Sequence, residues 1–139
     1  MPMPLSADAK KALLKRIYAI PIMETLKIEV LTLDEGYCET RIPRKPDYDG
    51  VFESFHGGLL MTIADTTACY AILTQTGPDA KLTTTDMNIR FLAPCFTDVI
   101  ARARVIKLGR TLCPVAVDLY DADDRQVAVA QVSYFRIDG

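Results

Sequence analysis

One stretch near the middle of the chain limits its fold more than any other part of it. From Gly57 to about Gln75, the apolar residues Leu59, Leu60, Met61, Ile63, Ala64, Ala68, Tyr70, Ala71, Ile72 and Leu73 point in nearly every direction around a helix. A surface helix keeps its apolar residues to one stripe, whereas a helix apolar almost all round must be covered on most sides. The exceptions are Thr62, Asp65, Thr66 and Cys69, which at i, i+3, i+4 and i+7 share one face. The pattern predicts a buried helix over about 57–75 with one polar seam, and a partner surface large enough to wrap it.

The remaining segments can supply that surface. Ser6 can cap a helix over about 6–19, with Asp8 in its first turn and Leu13, Leu14, Ile17 and Tyr18 as its apolar stripe. Pro21 is expected to close that element. Leu26, Ile28 and Val30 alternate with Lys27 and Glu29 as in a half-buried strand, Asp34-Glu35-Gly36 reads as a turn, and Tyr37 to Ile42 as the returning strand. Pro43 to Phe55 is irregular. Beyond Gly77-Pro78 come four strand-like segments near 82–93, 97–108, 111–120 and 126–136, with turns at Gly109-Arg110 and Asp121 to Asp124 separating the last three. Helix, two strands, buried helix, four strands is the order of an α+β fold in which an antiparallel sheet wraps a central helix, expected as one domain over 1–139.

Composition narrows the function. With 139 residues, half of them hydrophobic, the chain can bury a real core. A net charge of −2 with both signs interspersed gives no electrostatic footprint for nucleic acid or a membrane surface. No apolar run approaches the roughly 20 residues that span a bilayer. The opening Met-Pro-Met-Pro-Leu-Ser has neither the basic nor the apolar region of a secretory signal, so a cytoplasmic location is expected. Cys38, Cys69, Cys95 and Cys113 form no C-x-x-C pair, and free thiols are expected rather than disulfides.

Two features carry chemistry. Phe55-His56-Gly57-Gly58 precedes the buried helix, and its glycines leave the first helical N–H groups unshielded. Such a terminus attracts negative charge, including an oxyanion that develops on an attacked carbonyl. On spacing alone it reads more readily as a tight loop-to-helix entry packed against a neighbouring strand. Asp65 is the second feature, because a carboxylate in an apolar helix is costly unless it is paired, hydrogen-bonded or protonated. A site and a structural bond to a loop both remain open for it. His56, the single histidine, reads as a loop organiser more readily than as a base. The chain has no G-x-S-x-G, no metal-ligand spacing and no phosphate-binding glycine loop. Lys107-Leu108-Gly109-Arg110-Thr111 reads as a hairpin turn whose cations face solvent or grip a phosphate.

The stretch Ser54-Phe55-His56-Gly57-Gly58-Leu59-Leu60-Met61-Thr62-Ile63-Ala64-Asp65-Thr66-Thr67-Ala68 closely resembles the signature of hotdog-fold thioesterases. It is most similar to acyl-CoA thioesterases of the phenylacetate-degradation and thioesterase-superfamily-member-2-like types. The resemblance continues through Thr84-Thr85-Asp86-Met87-Asn88-Ile89, Phe91-Leu92-Ala93-Pro94 and Gly109-Arg110-Thr111-Leu112. It implies hydrolysis of an acyl- or aryl-CoA thioester without metal or redox cofactor. Asp65 would act as nucleophile or general base, the Gly57 N–H after His56 would polarise the thioester carbonyl, and Thr84 would help place water. Gly58, Thr66, Arg90, Arg110 and Thr111 would line the substrate, with Arg90 and Arg110 toward the CoA phosphates. The family's subunits pair, as homodimers or within homotetramers, and build two equivalent sites at the interface.

Two departures qualify the match: where the family often has asparagine and glycine, this chain has Gly50 and Glu53. Simple pleat alternation also puts Thr84, Asp86, Asn88 and Arg90 on one face, opposite Thr85, Met87, Ile89 and Phe91. Thr84 is then expected to reach the helix-side pocket only if the strand edge or a partner chain brings the pocket to it. The rival class is a non-catalytic module on the same fold that binds acyl-CoA or an aromatic ligand.

Overall fold

The computed structural model describes residues 2–137; Met1, Asp138 and Gly139, the ends of the domain expected over 1–139, lie outside them. The first helix, α1 (Ala7–Tyr18), begins as expected, with the Ser6 hydroxyl accepting the Ala9 N–H at 3.1 Å. It buries Leu13 and Ile17. Pro21 does not end the helical region but opens a second, short helix, α2 (Pro21–Thr25). Its fixed φ and missing N–H cost nothing in a first turn, where that N–H has no helical acceptor.

The strand expected from Leu26 onward starts later for the same reason. Leu26 caps α2, Lys27 turns the chain with φ 55°, and β1 runs Glu29–Asp34. Leu26 and Ile28 are buried, as their alternation implied, but as a helix end and a strand lead-in. Strand β2 occupies Tyr37–Ile42. A single 3-10 turn at Pro46–Tyr48 interrupts the irregular stretch before α3 (Gly57–Thr76). Four strands follow, β3 (Leu82–Phe91), β4 (Val99–Val105), β5 (Leu112–Asp121) and β6 (Gln126–Arg136).

The six strands form one antiparallel sheet in the order β1-β2-β4-β5-β6-β3. Alternate residues of the central strands, among them Cys38, Ala101, Ala103, Val115, Val117 and Val132, are fully buried and face α3. The helix answers with Ile63, Ala64, Ala68, Ala71 and Ile72, each 0% exposed. The alanines on both sides permit a close approach of helix axis to sheet. Within this apolar interface, the Thr40 and Thr67 hydroxyls pair at 2.7 Å, and Thr67 also donates to the Ile63 carbonyl, so neither buried hydroxyl is orphaned.

By length and composition α3 could cross a membrane, with a mean hydropathy of 1.2, more than the run length in the sequence suggested. Its apolar circumference is spent on the sheet instead. The side left half-buried carries Thr62, Asp65, Thr66 and Cys69, the polar seam that the spacing predicts. All four cysteines are free thiols, three of them buried.

Candidate active site

The loop that enters α3 explains the His-Gly-Gly sequence without recourse to any ligand. His56 is the N-cap: its Nδ1 accepts the Gly58 N–H at 2.9 Å, while its own N–H donates to the Tyr48 carbonyl at 2.8 Å. A Cβ on Gly58 would lie 2.9 Å from the imidazole Cε1, so a side chain there would displace the cap. A Cβ on Gly57 would meet the Phe91 ring at 3.3 Å. With the Gly58 N–H taken by the imidazole and those of Leu59 and Leu60 by the His56 carbonyl, the Gly57 N–H is, among the described residues, the uncommitted donor of the first turn. His56 is thus a loop organiser, holding the terminus open at Gly57. The lip beside that N–H is an apolar groove of about 390 Å³, lined by Ser54, Phe55, Gly57, Leu60 and Phe91–Cys95.

The two positions that depart from the family pattern behave differently. Glu53 has φ 59°, in the left-handed region where glycine carries no Cβ penalty, so a glycine would sit there with less strain. Arg44 holds the loop in this shape by pairing with Asp49 and donating to the Glu53 carbonyl. Gly50 has ordinary room around it, since a Cβ would come no closer than 3.7 Å to His56.

Asp65 lies in the third turn of the helix, half-buried, toward the β3–β6 side of the sheet. The Thr84 hydroxyl donates to its Oδ1 at 2.7 Å, and the Tyr134 hydroxyl stands 2.5 Å from the same oxygen and 2.7 Å from the Asp65 carbonyl. Tyr134 is buried, at 5% exposure. Burial first, then the neighbouring Cys69 and the bond to Asp65, hold its hydroxyl far above the usual tyrosine range, so it is a neutral donor. Burial, reinforced by the Asp65 charge, also pushes the Cys69 thiol up to about 11. A neutral thiol at that position is no nucleophile.

Thr84 reaches Asp65 within one chain, which corrects the expectation drawn from simple alternation. The β3–β6 register slips between Thr84 and Asp86, with Thr84 opposite Tyr134 and Asp86 opposite Ser133. The extra residue, Thr85, is a β-bulge, and a one-residue slip exchanges the faces of a strand. Thr84 therefore shares the inward face with Met87 and Ile89, while Asp86, Asn88 and Arg90 point away.

The other expected substrate residues divide between two places. Arg110 and Thr111 are exposed in the β4–β5 turn, and the Thr111 carbonyl takes the Arg136 N–H. That turn adjoins Cys113, which is paired with Tyr134, so both residues lie at the Asp65 end of the sheet. Arg90 pairs with Val129 nearer the other end of β3, on the face away from α3, and is not brought to Asp65. Thr66 lies beside Asp65 on the seam.

Tyr134 is the site residue that the sequence reading missed. A tyrosine at an inward strand position needs a partner for its hydroxyl, and that was the available signal. Among the described residues, no cluster of three His, Cys, Asp or Glu side chains could hold a metal ion.

Known proteins bear on this geometry. The sequence profile of the thioesterase superfamily matches residues 52–128, a span that includes the cap, Asp65 and Thr84. A Halobacterium salinarum protein described as a candidate esterase is 30% identical, over 81% of this chain and 82% of its own length. Acyl-coenzyme A thioesterase 13 of Homo sapiens is 33% identical over 85 residues, covering 59% of this chain and 58% of that protein. Among solved structures, Escherichia coli PaaI, from the phenylacetic acid degradation operon, superposes with a TM-score of 0.86 at 24% identity, covering 96% of each chain. That likeness establishes the hotdog fold, a long helix wrapped by an antiparallel sheet.

Proposed function

The chain belongs to the thioesterase superfamily, and from that premise we propose that it hydrolyses an acyl- or aryl-CoA thioester to free acid and CoA. Asp65 acts on water or on the thioester carbonyl, and the Gly57 N–H polarises that carbonyl. The observation that carries this reading is the setting of Asp65: a carboxylate on the half-buried polar seam of a mostly buried helix, held through one oxygen by Thr84 and Tyr134. A protein that only bound its ligand would gain little from fixing one oxygen of a half-buried carboxylate and leaving the other open. The reaction consumes water alone. Incubation with a panel of acyl- and aryl-CoA esters, followed by thiol release, tests it. Turnover of at least one ester is expected, and saturable binding with no thiol release across the panel would establish the rival binding module.

The site is completed by a second copy of the chain. Gly57 and Asp65 are eight residues apart on one helix, about 12 Å along its axis at 1.5 Å per residue. An oxyanion donor and an attacking group must each lie within roughly 3 Å of one reacting centre. Their surroundings differ accordingly: Gly57 adjoins Phe91 at the end of β3, while Asp65 adjoins Thr84 near its start. Among the described residues, β3, a strand of ten residues, also lies at an edge of the sheet with no further strand beside it. At its end, Phe91 and Leu92 are 51% and 55% exposed. A long edge strand with exposed apolar side chains at its end is a feature that an interface covers. A two-fold partner laid antiparallel along this side supplies its Gly57 to the Asp65 of the first protomer, and the reverse.

Arg110 is the better placed of the two candidate cations for the CoA phosphates, because its turn adjoins the Asp65 end of the sheet. Replacing it with alanine should raise KM for the CoA ester about tenfold, one charge-assisted contact being worth about 1.5 kcal/mol or more. A truncated pantetheine thioester, which lacks the phosphates, should be affected less than about twofold by the same change. Equal effects on both substrates would confine Arg110 to a role in the turn.

A further inference from the structure

Both hydroxyls that approach the Asp65 carboxylate approach the same oxygen. Thr84 donates to Oδ1 at 2.7 Å, and the Tyr134 hydroxyl lies 2.5 Å from Oδ1. The same tyrosine oxygen stands 2.7 Å from the Asp65 carbonyl, so its one proton is shared between the backbone and the side chain of a single residue. Such a bridge ties the carboxylate to its own main chain and removes the rotational freedom that an aspartate on a half-buried seam would otherwise keep. Among the described residues, no donor reaches Oδ2, and that oxygen is not sealed from solvent, since no buried side-chain oxygen lacks a partner.

We propose that Tyr134 is a positioning residue for thioester hydrolysis: with Thr84 it holds Oδ1 of Asp65 and thereby makes Oδ2 the oxygen that meets the reactants. The inference rests on the hydrolytic reading of this site and names the atom through which it works. In the general-base route, Oδ2 takes a proton from water as the water oxygen bonds to the thioester carbon. Collapse of the adduct then breaks the C–S bond, and the proton passes from Oδ2 to the departing sulfur. In the nucleophilic route, Oδ2 itself bonds to the carbonyl carbon, the thiolate leaves, and water cleaves the resulting anhydride. Either route needs Oδ2 free and aimed. Thr84 commits its proton to the resting carboxylate, so it can meet a water only through its lone pairs.

The geometry also separates the two supports. Tyr134 comes from the interior of β6 and is buried, so its ring is fixed by packing. Thr84 comes from the edge strand, at the position that the bulge turns inward. Tyr134→Phe keeps the packed ring and removes only the bridging oxygen. It should lower kcat about 10- to 100-fold, the range in which small misplacements of a reacting group fall, and move KM less than about twofold. Thr84→Val should act in the same direction, and Thr84→Ser, which restores a hydroxyl, should recover most of the loss.

The decisive arm is the background. If Tyr134 acts through the carboxylate, Tyr134→Phe introduced into Asp65→Asn should reduce single-turnover hydrolysis no further. A fall of equal size in that background would make Tyr134 a structural residue and overturn the proposal. So would wild-type turnover by a Tyr134→Phe protein whose thermal unfolding is unchanged. Wild-type protein that releases no thiol from any ester in the panel would remove the hydrolytic reading and this inference with it. Wild-type turnover together with an inert Tyr134→Phe change would remove this inference alone.

Discussion

Asp65→Asn is expected to lower kcat by at least about 100-fold and to leave KM nearly unchanged. General-base groups contribute roughly 10²- to 10⁴-fold, and a group that acts only in the transition state leaves ground-state binding alone. The substitution suits the site unusually well. Asparagine keeps an oxygen at Oδ1, where Thr84 and Tyr134 donate, so the bonds that hold the side chain survive. The amide nitrogen replaces the oxygen that has no donor, and an amide nitrogen has neither the basicity nor the nucleophilicity of a carboxylate. The variant should therefore fold and bind as the parent does, which a ligand titration and a thermal melt would establish. Near-normal turnover by such a protein would remove Asp65 from the chemistry.

Mixed oligomers should recover activity that neither parent has. The second parent is Gly57→Pro, which deletes the N–H assigned to the oxyanion. Proline is well tolerated at the first position of a helix. The preceding His56, at φ −60° and ψ 130°, already has the extended conformation that a following proline requires. The one crowded neighbour is the Phe91 ring, which is half exposed and can give way. Each homo-oligomer lacks one component in every site. In a mixed dimer, one site combines the intact Gly57 of the first chain with the intact Asp65 of the second, and the other site lacks both. Equal mixing after dissociation makes half the dimers mixed, so about a quarter of the wild-type rate should return. No recovery from subunits shown to have exchanged would place Gly57 and Asp65 in separate functions, as would a verified monomer with normal turnover.

Much of the scaffold was readable because it is written within a few neighbouring residues. The apolar circumference of α3 and its seam at Thr62, Asp65, Thr66 and Cys69 follow from the helical period alone, and the Ser6 cap from a capping hydroxyl just ahead of an apolar stripe. Strand β2 begins and ends where Tyr37 to Ile42 predicts, because a turn and an alternating run define it locally. Pro21 is ambiguous locally, because the same residue that stops one helix is suited to start the next, and only the following chain path decides between them. The His-Gly-Gly entry was legible as a loop-to-helix junction. That Gly58 is needed to seat the His56 ring, while Gly57 lies under Phe91, depends on atoms placed by folding.

The tertiary structure alone decided which groups meet Asp65. Tyr134 arrives from 69 residues further along the chain, and no local pattern links the two positions. Thr84 points inward because β3 bulges at Thr85, and a bulge is set by how β3 and β6 come into register across the sheet rather than by the β3 sequence. Periodicity is a property of a segment, and register is a property of a pair. The sequence thus determined the buried helix and the carboxylate upon it, while the pairing of two distant strands decided which oxygen of that carboxylate is held and which is left open.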